Sequence, residues 1–124
     1  MGAVVGSQLP RIDVTPLHVT TRGDDAVDLA AVAGLMLDPW QEHVLRGACS
    51  TNADGKWAAK NVGLIVPRQN GKGSVLEARE LAGLFLFGEN IVHTAHLFGT
   101  AAEHQRRMES LIRGCEYLAE MMEG

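Results

Sequence analysis

Lys72 stands between two glycines, Gly71 and Gly73, with Ser74 next, where an apolar run gives way to a helical pattern. A lysine so placed can do phosphate chemistry. The backbone N–H groups of a loop entering a helix face an anion, and the ammonium reaches the terminal phosphates. Asn61 to Val66 is short, apolar and rich in β-branched residues, which predicts a buried strand. Pro67 stops it, and Arg68 to Gly71 is a polar, turn-forming cluster. From Lys72 onward Val75, Leu76, Ala78, Leu81, Ala82 and Phe85 recur with a period near 3.6, so a helix runs from Gly73 to Phe87, where Gly88 breaks it. Strand, tight loop and helix together make a phosphate-binding loop, with the backbone from Gln69 through Asn70 and Gly71 to Gly73 around the phosphates. The bland alternative is a turn with a solvated lysine.

Two positions depart from the general pattern. It has glycine where Val66 stands, and Ser or Thr where Gly73 stands. Ser74 is the nearest hydroxyl for Mg2+, one place late. One residue on a helix rotates a side chain by about 100°, so either the loop is wound differently or the metal is held elsewhere.

A second set of side chains invites a metal. His93 and His96 have His104 and Cys115 as possible further ligands. Asn90 to Ala95 reads as a second buried strand, however, and a strand would put the rings of an H-x-x-H pair on opposite faces. The stronger reading is that Thr94 to His96 ends a strand at the edge of the site, where open α/β sheets gather ligand contacts.

The other elements must position these groups. Met1 to Arg22, with Pro10 and Pro16 and no sustained period, reads as an extended arm. Asp24 can cap a helix from Asp25 to Ala33 that Gly34 closes. Asp38 is a good N-cap before Pro39, and Trp40, Val44 and Leu45 mark one face of a helix reaching Cys49. Ser50 to Gly55 is a polar turn, and Lys56 to Ala59 a short strand or the lead-in to the main one. Thr100, with Glu103 three residues on, suggests a capping box for a last helix. Met108, Leu111, Ile112, Cys115, Leu118, Ala119 and Met122 form its apolar face, while Arg106, Arg107 and Arg113 lie off it on a solvated surface.

Pro67-Arg68-Gln69-Asn70-Gly71-Lys72 resembles the deviant Walker A of tailed-phage terminase large subunits, above all those of phages infecting Gram-positive bacteria and mycobacteria. Leu37-Asp38-Pro39-Trp40-Gln41 upstream and Ile91-Val92-His93-Thr94-Ala95-His96 downstream match in the same order, so the resemblance covers about Asp24 to Leu111. It implies an α/β fold, a P-loop NTPase three-layer α/β/α core, here incomplete because only the N-terminal portion is present. An arm would span 1–22 and a partial ATPase domain 23–124. The resemblance further implies ATP and Mg2+ as cofactors, Lys72 on the β and γ phosphates and Arg68 responding to the γ-phosphate. Gln41, beside Trp40, would read the adenine edge; a carboxamide can pair with the base's N6 and N7 together. The implied setting is the DNA-packaging motor in the host cytoplasm. Double-stranded DNA, the small terminase subunit, the portal and prohead, and a ring of like subunits are its partners.

Composition is compatible with this reading. The 124 residues are 46% hydrophobic and 21% charged, enough for one domain with a real core. A net charge of −4 argues against a nucleic-acid-coating surface. Cys49 and Cys115 lie in apolar helical patterns and read as buried free thiols, as in a reducing cytoplasm. The acid-bearing strand that a P-loop ATPase needs for Mg2+ and the attacking water should follow the last helix, and Gly124 comes first. Two rival readings are a non-catalytic terminase remnant that binds partners, and a small P-loop phosphotransferase. Without the missing strand, the two predicted strands would have exposed backbone edges.

Overall fold

A computed structural model describes residues 7–66, 71–95 and 97–123. The described residues form a mixed α/β, mostly helical fold with one small sheet. The order is β1 (Thr20–Thr21), α1 (Gly23–Val32), α2 (Pro39–Ala48), β2 (Ser50–Thr51), α3 (Lys72–Phe85), α4 (Phe98–Arg113) and α5 (Glu116–Glu123). β1 and β2 pair antiparallel, Thr20 opposite Thr51 and Thr21 opposite Ser50. Trp57 adds an isolated bridge to Thr51, all that forms of the predicted strand at Lys56 to Ala59.

α1 and α3 are the shared walls of two apolar clusters. On one side Ala26, Ala30, Ala78 and Ala82, all essentially inaccessible, let α1 and α3 approach closely while Leu35, Leu45 and Cys49 close over them. On the other, Leu29 and Leu81 meet Met108, Leu111 and Ile112 of α4 and Cys115 and Leu118 at α5. Apolar side chains at three- and four-residue spacing produce this directly, because they fall on one stripe of each helix. Both cysteines are free and buried. Burial pushes the Cys49 thiol above its ordinary pKa.

The helix ends agree with the sequence in two cases and differ in two. α1 stops in a Schellman arrangement, with Leu35 N–H on the Ala30 carbonyl at 2.8 Å and Gly34 N–H on that of Ala31 at 3.0 Å, Gly34 having φ +85°. α2 starts in a capping box of Asp38 and Gln41 with Pro39 in the first turn. Asp24, in contrast, lies inside α1; Thr21 Oγ1 accepts from Gly23 N–H at 2.9 Å, and Asp24 is left to pair with Arg46 Nε at 2.7 Å. α4 begins two residues before Thr100, with Leu97 as N-cap and no side-chain cap bond. Chain Gly114–Cys115 then divides the predicted last helix into α4 and α5, and Met122 falls off the apolar face at 62% exposed.

The larger correction concerns the two predicted strands. Neither Asn61–Val66 nor Asn90–Ala95 is a strand, and Ile65 is 99% and Val92 89% exposed. A run of β-branched residues becomes a buried strand only when neighbours pair with both of its edges, and no described residue pairs with either segment. α3 likewise keeps Leu76 and Leu84 substantially open, so it is covered less fully than its apolar circumference suggests. The N-terminal arm is largely exposed, anchored where Gln8 Oε1 accepts from Trp40 N–H at 3.2 Å and where Asp13 meets His43 at 2.7 Å.

Beyond α3 the chain turns back along that helix. Gly88 has φ +64°, Glu89 N–H reaches the Gly83 carbonyl at 2.8 Å, and the Glu89 carboxylate takes both arms of Arg79 at 2.7 and 3.2 Å. A Cβ on Gly83 would lie 2.6 Å from Glu89 Oε1 and 2.8 Å from Ile91 Cδ1, so glycine lets these two side chains pack closely over α3. Arg79 also faces the rings of Trp57 and Phe87, each at 5.2 Å. The Arg79 hydrogen bonds hold the Glu89 carboxyl below its ordinary value of 4.5. Its stabilisation is therefore fully present above the ordinary carboxylate range and is lost as the pH falls through the lowered value. Glu89→Gln should be less stable than wild type at neutral pH, with the gap closing as acid protonates the lowered Glu89 carboxyl. Urea titrations at several pH values measure it; a gap that is the same at acid and neutral pH would remove the ion pair from the stability balance.

Candidate functional site

The loop exit is held by a contact between two helices. At α2, Gln41 is the third residue of the first turn, 5% exposed, and its Oε1 accepts from Asp38 N–H at 2.7 Å. Its Nε2 donates to the Gly71 carbonyl at 2.8 Å, across thirty residues of sequence. Gly71 is the N-cap of α3 at φ +87°, ψ +13°, a left-handed conformation that side chains disfavour. A Cβ there would also come within 2.6 Å of Gln41 Nε2 and 3.5 Å of the Trp40 ring. The same Gly71 carbonyl accepts Ser74 N–H at 3.2 Å, which winds the first turn of α3. Conformation and crowding both require glycine at this position.

The predicted residues therefore fall into three groups. Trp40, Gln41 and Gly71 are brought together at the junction of α2 and α3. Lys72 is exposed on the first turn of α3, with no ion pair among the described residues; Gly73 is exposed and Ser74 half-buried beside it. Arg68, Gln69 and Asn70 lie outside the described residues, as does Pro67. α3 carries no acidic residue in its first turn, unlike α1, α2 and α5. Among the described residues, the N-terminus of α3 and the Lys72 ammonium have no acidic partner, which makes them positive ends able to take an anion.

The second grouping lies further along α3. His93 Nδ1 is 2.9 Å from Glu80 Oε1, and His104 Nε2 hydrogen-bonds the other oxygen, Oε2. The two imidazoles stack with centroids 3.6 Å apart and 9° between planes. One helical turn earlier, Glu77 is buried with Oε2 lacking a hydrogen bond; Arg107 Nε, at 3.4 Å, supplies charge but is not aligned to donate. Of the residues considered in sequence for a metal, His93 and His104 meet, Cys115 is buried elsewhere against the Val32 carbonyl, and His96 lies outside the described residues. Glu80 was not among them. Its signal was the carboxylate pair Glu77 and Glu80 on one helix face, opposite the basic pair His104 and Arg107 at the same three-residue spacing.

No protein-family model, no curated protein and no solved structure matches this chain.

The Gln41 bridge makes a direct stability prediction. Gln41→Ala leaves Asp38 N–H and the Gly71 carbonyl without their side-chain partner at a part-buried junction, so it should cost about 1 kcal/mol. Gln41→Glu should recover little, because a carboxylate has no proton for the Gly71 carbonyl. Urea denaturation of the three proteins measures this, and an unchanged midpoint for Gln41→Ala would mean that the bridge does not hold the loop.

Proposed function

We propose that this chain is the ATP-binding portion of a terminase-type ATPase, the motor that drives DNA into phage proheads. The observation that carries the reading is the Gln41–Gly71 bridge. Two of the three segments on which the resemblance rests, Leu37–Gln41 and the loop ending in Gly71-Lys72, meet in space through a buried hydrogen bond. The packing of α2 on α3 makes this contact, and it puts the two segments in one place, as a shared site requires. The exposed lysine and the N-terminus of α3 would be the anion-binding half of that site.

In this reading Lys72 contacts the β and γ phosphates, the backbone from Gln69 to Gly73 surrounds them, and Arg68 answers the γ-phosphate. Ser74 is the nearest hydroxyl to the Mg2+ that accompanies ATP. Gln41 has one N–H and one oxygen lone pair left after its two bonds, and these are the groups it would offer to adenine, with Trp40 beside them. A three-layer P-loop sheet, DNA, the small terminase subunit, the portal and a subunit ring belong to the same proposal. So does a place in the host cytoplasm. No helix among the described residues is long and apolar enough to cross a membrane.

Lys72→Ala is the direct test. Alanine is the better helix former, so α3 should persist while ATP binding is abolished. Calorimetric titration of both proteins with Mg2+-ATP reads the result, and equal affinities would remove the nucleotide site. Base preference is a separate matter. ATP should outcompete GTP, by about 1–3 kcal/mol for a bidentate contact, and Gln41→Ala should erase that margin. If ATP and GTP weaken equally in this variant, the carboxamide braces the loop and reads no base.

A further inference from the structure

The cluster of Glu80, His93 and His104 is not used by a nucleotide site at the loop. Glu80 stands eight residues along α3 from Lys72, about 12 Å of helix rise, and its three members come from three separate stretches of chain. We propose that Glu80, His93 and His104 bind a divalent transition-metal ion, zinc foremost, that clips the segment carrying His93 onto α3 and α4.

Four observations support the site. One donor atom from each residue lies within 4.8 Å of the donors of the other two. A tetrahedral ion with bonds near 2.0–2.2 Å spaces its ligands about 3.4 Å apart, so side-chain rotation, with no shift of the helices, closes the gap. The side chains are only 13%, 24% and 14% exposed for Glu80, His93 and His104, so the donors are already withdrawn from bulk water. The two imidazoles and one carboxylate form a borderline donor set that suits Zn2+; Mg2+ and Ca2+ prefer oxygen alone. The backbone is also guided to the site. Glu89 on Arg79 and Ile91 over Gly83 lay the chain back along α3, which delivers His93 to Glu80 one turn further on.

Both histidine nitrogens now face the Glu80 carboxylate as hydrogen-bond partners. On binding, each would turn a lone pair to the ion in place of its bond to Glu80, the stacked rings would splay, and solvent would take the fourth position. The carboxylate of Glu77, one turn away with an oxygen lacking a hydrogen bond, adds negative potential near the cation. The ion would then join a segment whose own apolar contacts are few. Val92 is 89%, Leu97 58% and Phe98 89% exposed.

The full chain, stripped with chelator, is titrated with Co2+ while its visible d–d absorption is followed, and Zn2+ is then added. The expected result is one cobalt per chain with the intense bands of low coordination number, displaced by zinc. His93→Ala and His104→Ala should each weaken binding by at least 10–100-fold, the range that changes in outer-shell partners alone produce. His18→Ala, His43→Ala, Cys49→Ser and Cys115→Ser should leave it unchanged. His93 lies outside the helices, so its variant keeps the helical core, and circular dichroism verifies this. Amide exchange adds a readout that does not depend on the mutants: Zn2+ should slow exchange across residues 91–98 relative to the chelated protein. Failure to bind cobalt, binding that survives both histidine substitutions, or unchanged exchange with zinc would each overturn the proposal. All three measurements omit nucleotide, so they stand or fall apart from the ATP reading.

Discussion

One carboxamide joins the two halves of the candidate nucleotide site. Gln41 uses its oxygen to start α2 and its nitrogen to hold the carbonyl that starts α3. The Gln41 side chain is nearly inaccessible, so losing either bond leaves its own carboxamide short of a partner. The bridge also fixes what the loop can contain. With Gln41 Nε2 pressed against Gly71, and Gly71 at positive φ, the first turn of α3 has one entry geometry. The positions of Lys72, Gly73 and Ser74 follow from it, because they are rigidly related to that turn by helix geometry.

α3 then transmits this placement to the rest of the molecule. Ala78 and Ala82 lock it to α1 and α2, Leu81 to α4, and Arg79 and Glu80 reach the returning chain. Successive residues of one helix therefore serve packing, an ion pair and a histidine cluster, because a period of 3.6 points them in different directions. A substitution that shifts α3 along its axis would disturb all of these together.

What could be read from the sequence follows the range of the forces involved. Helices α1 to α3, the Asp38 cap before Pro39, the closing glycines at 34 and 88, and the buried cysteines depend on residues within a turn or two of one another. Caps, φ preferences and apolar spacing are all local. That Asn61–Val66 and Asn90–Ala95 stay out of any sheet was not legible, because strand formation depends on an edge supplied from elsewhere in the chain. The histidine cluster failed for a related reason. Reading H-x-x-H along one element looks for both ligands in the same place, whereas Glu80 and His104 arrive from two helices and His93 by the return of the chain along α3. Gln41 was found by type and position, but its bond to Gly71 is a tertiary contact that spacing does not encode.

Lys72 gives the strongest physical reason to look for an anion. A cation at a helix N-terminus opposes the macrodipole, at about 0.3–1 kcal/mol for an exposed position. α1, α2 and α5 follow the favourable rule, with Asp24 and Asp25 beginning α1, Glu42 after the Asp38 cap of α2 and Glu116 beginning α5, while α4 has no acid in its first turn. α3 breaks the rule, with a lysine at its first position, no acid in its first turn, and a glycine cap that offers no side chain to its N–H groups. Such an end is unfavourable for the isolated helix and favourable only when negative charge arrives from outside it. Under the proposed function, the phosphates of ATP would supply that charge. The local destabilisation of α3 and the proposed binding of ATP are then two sides of one electrostatic arrangement.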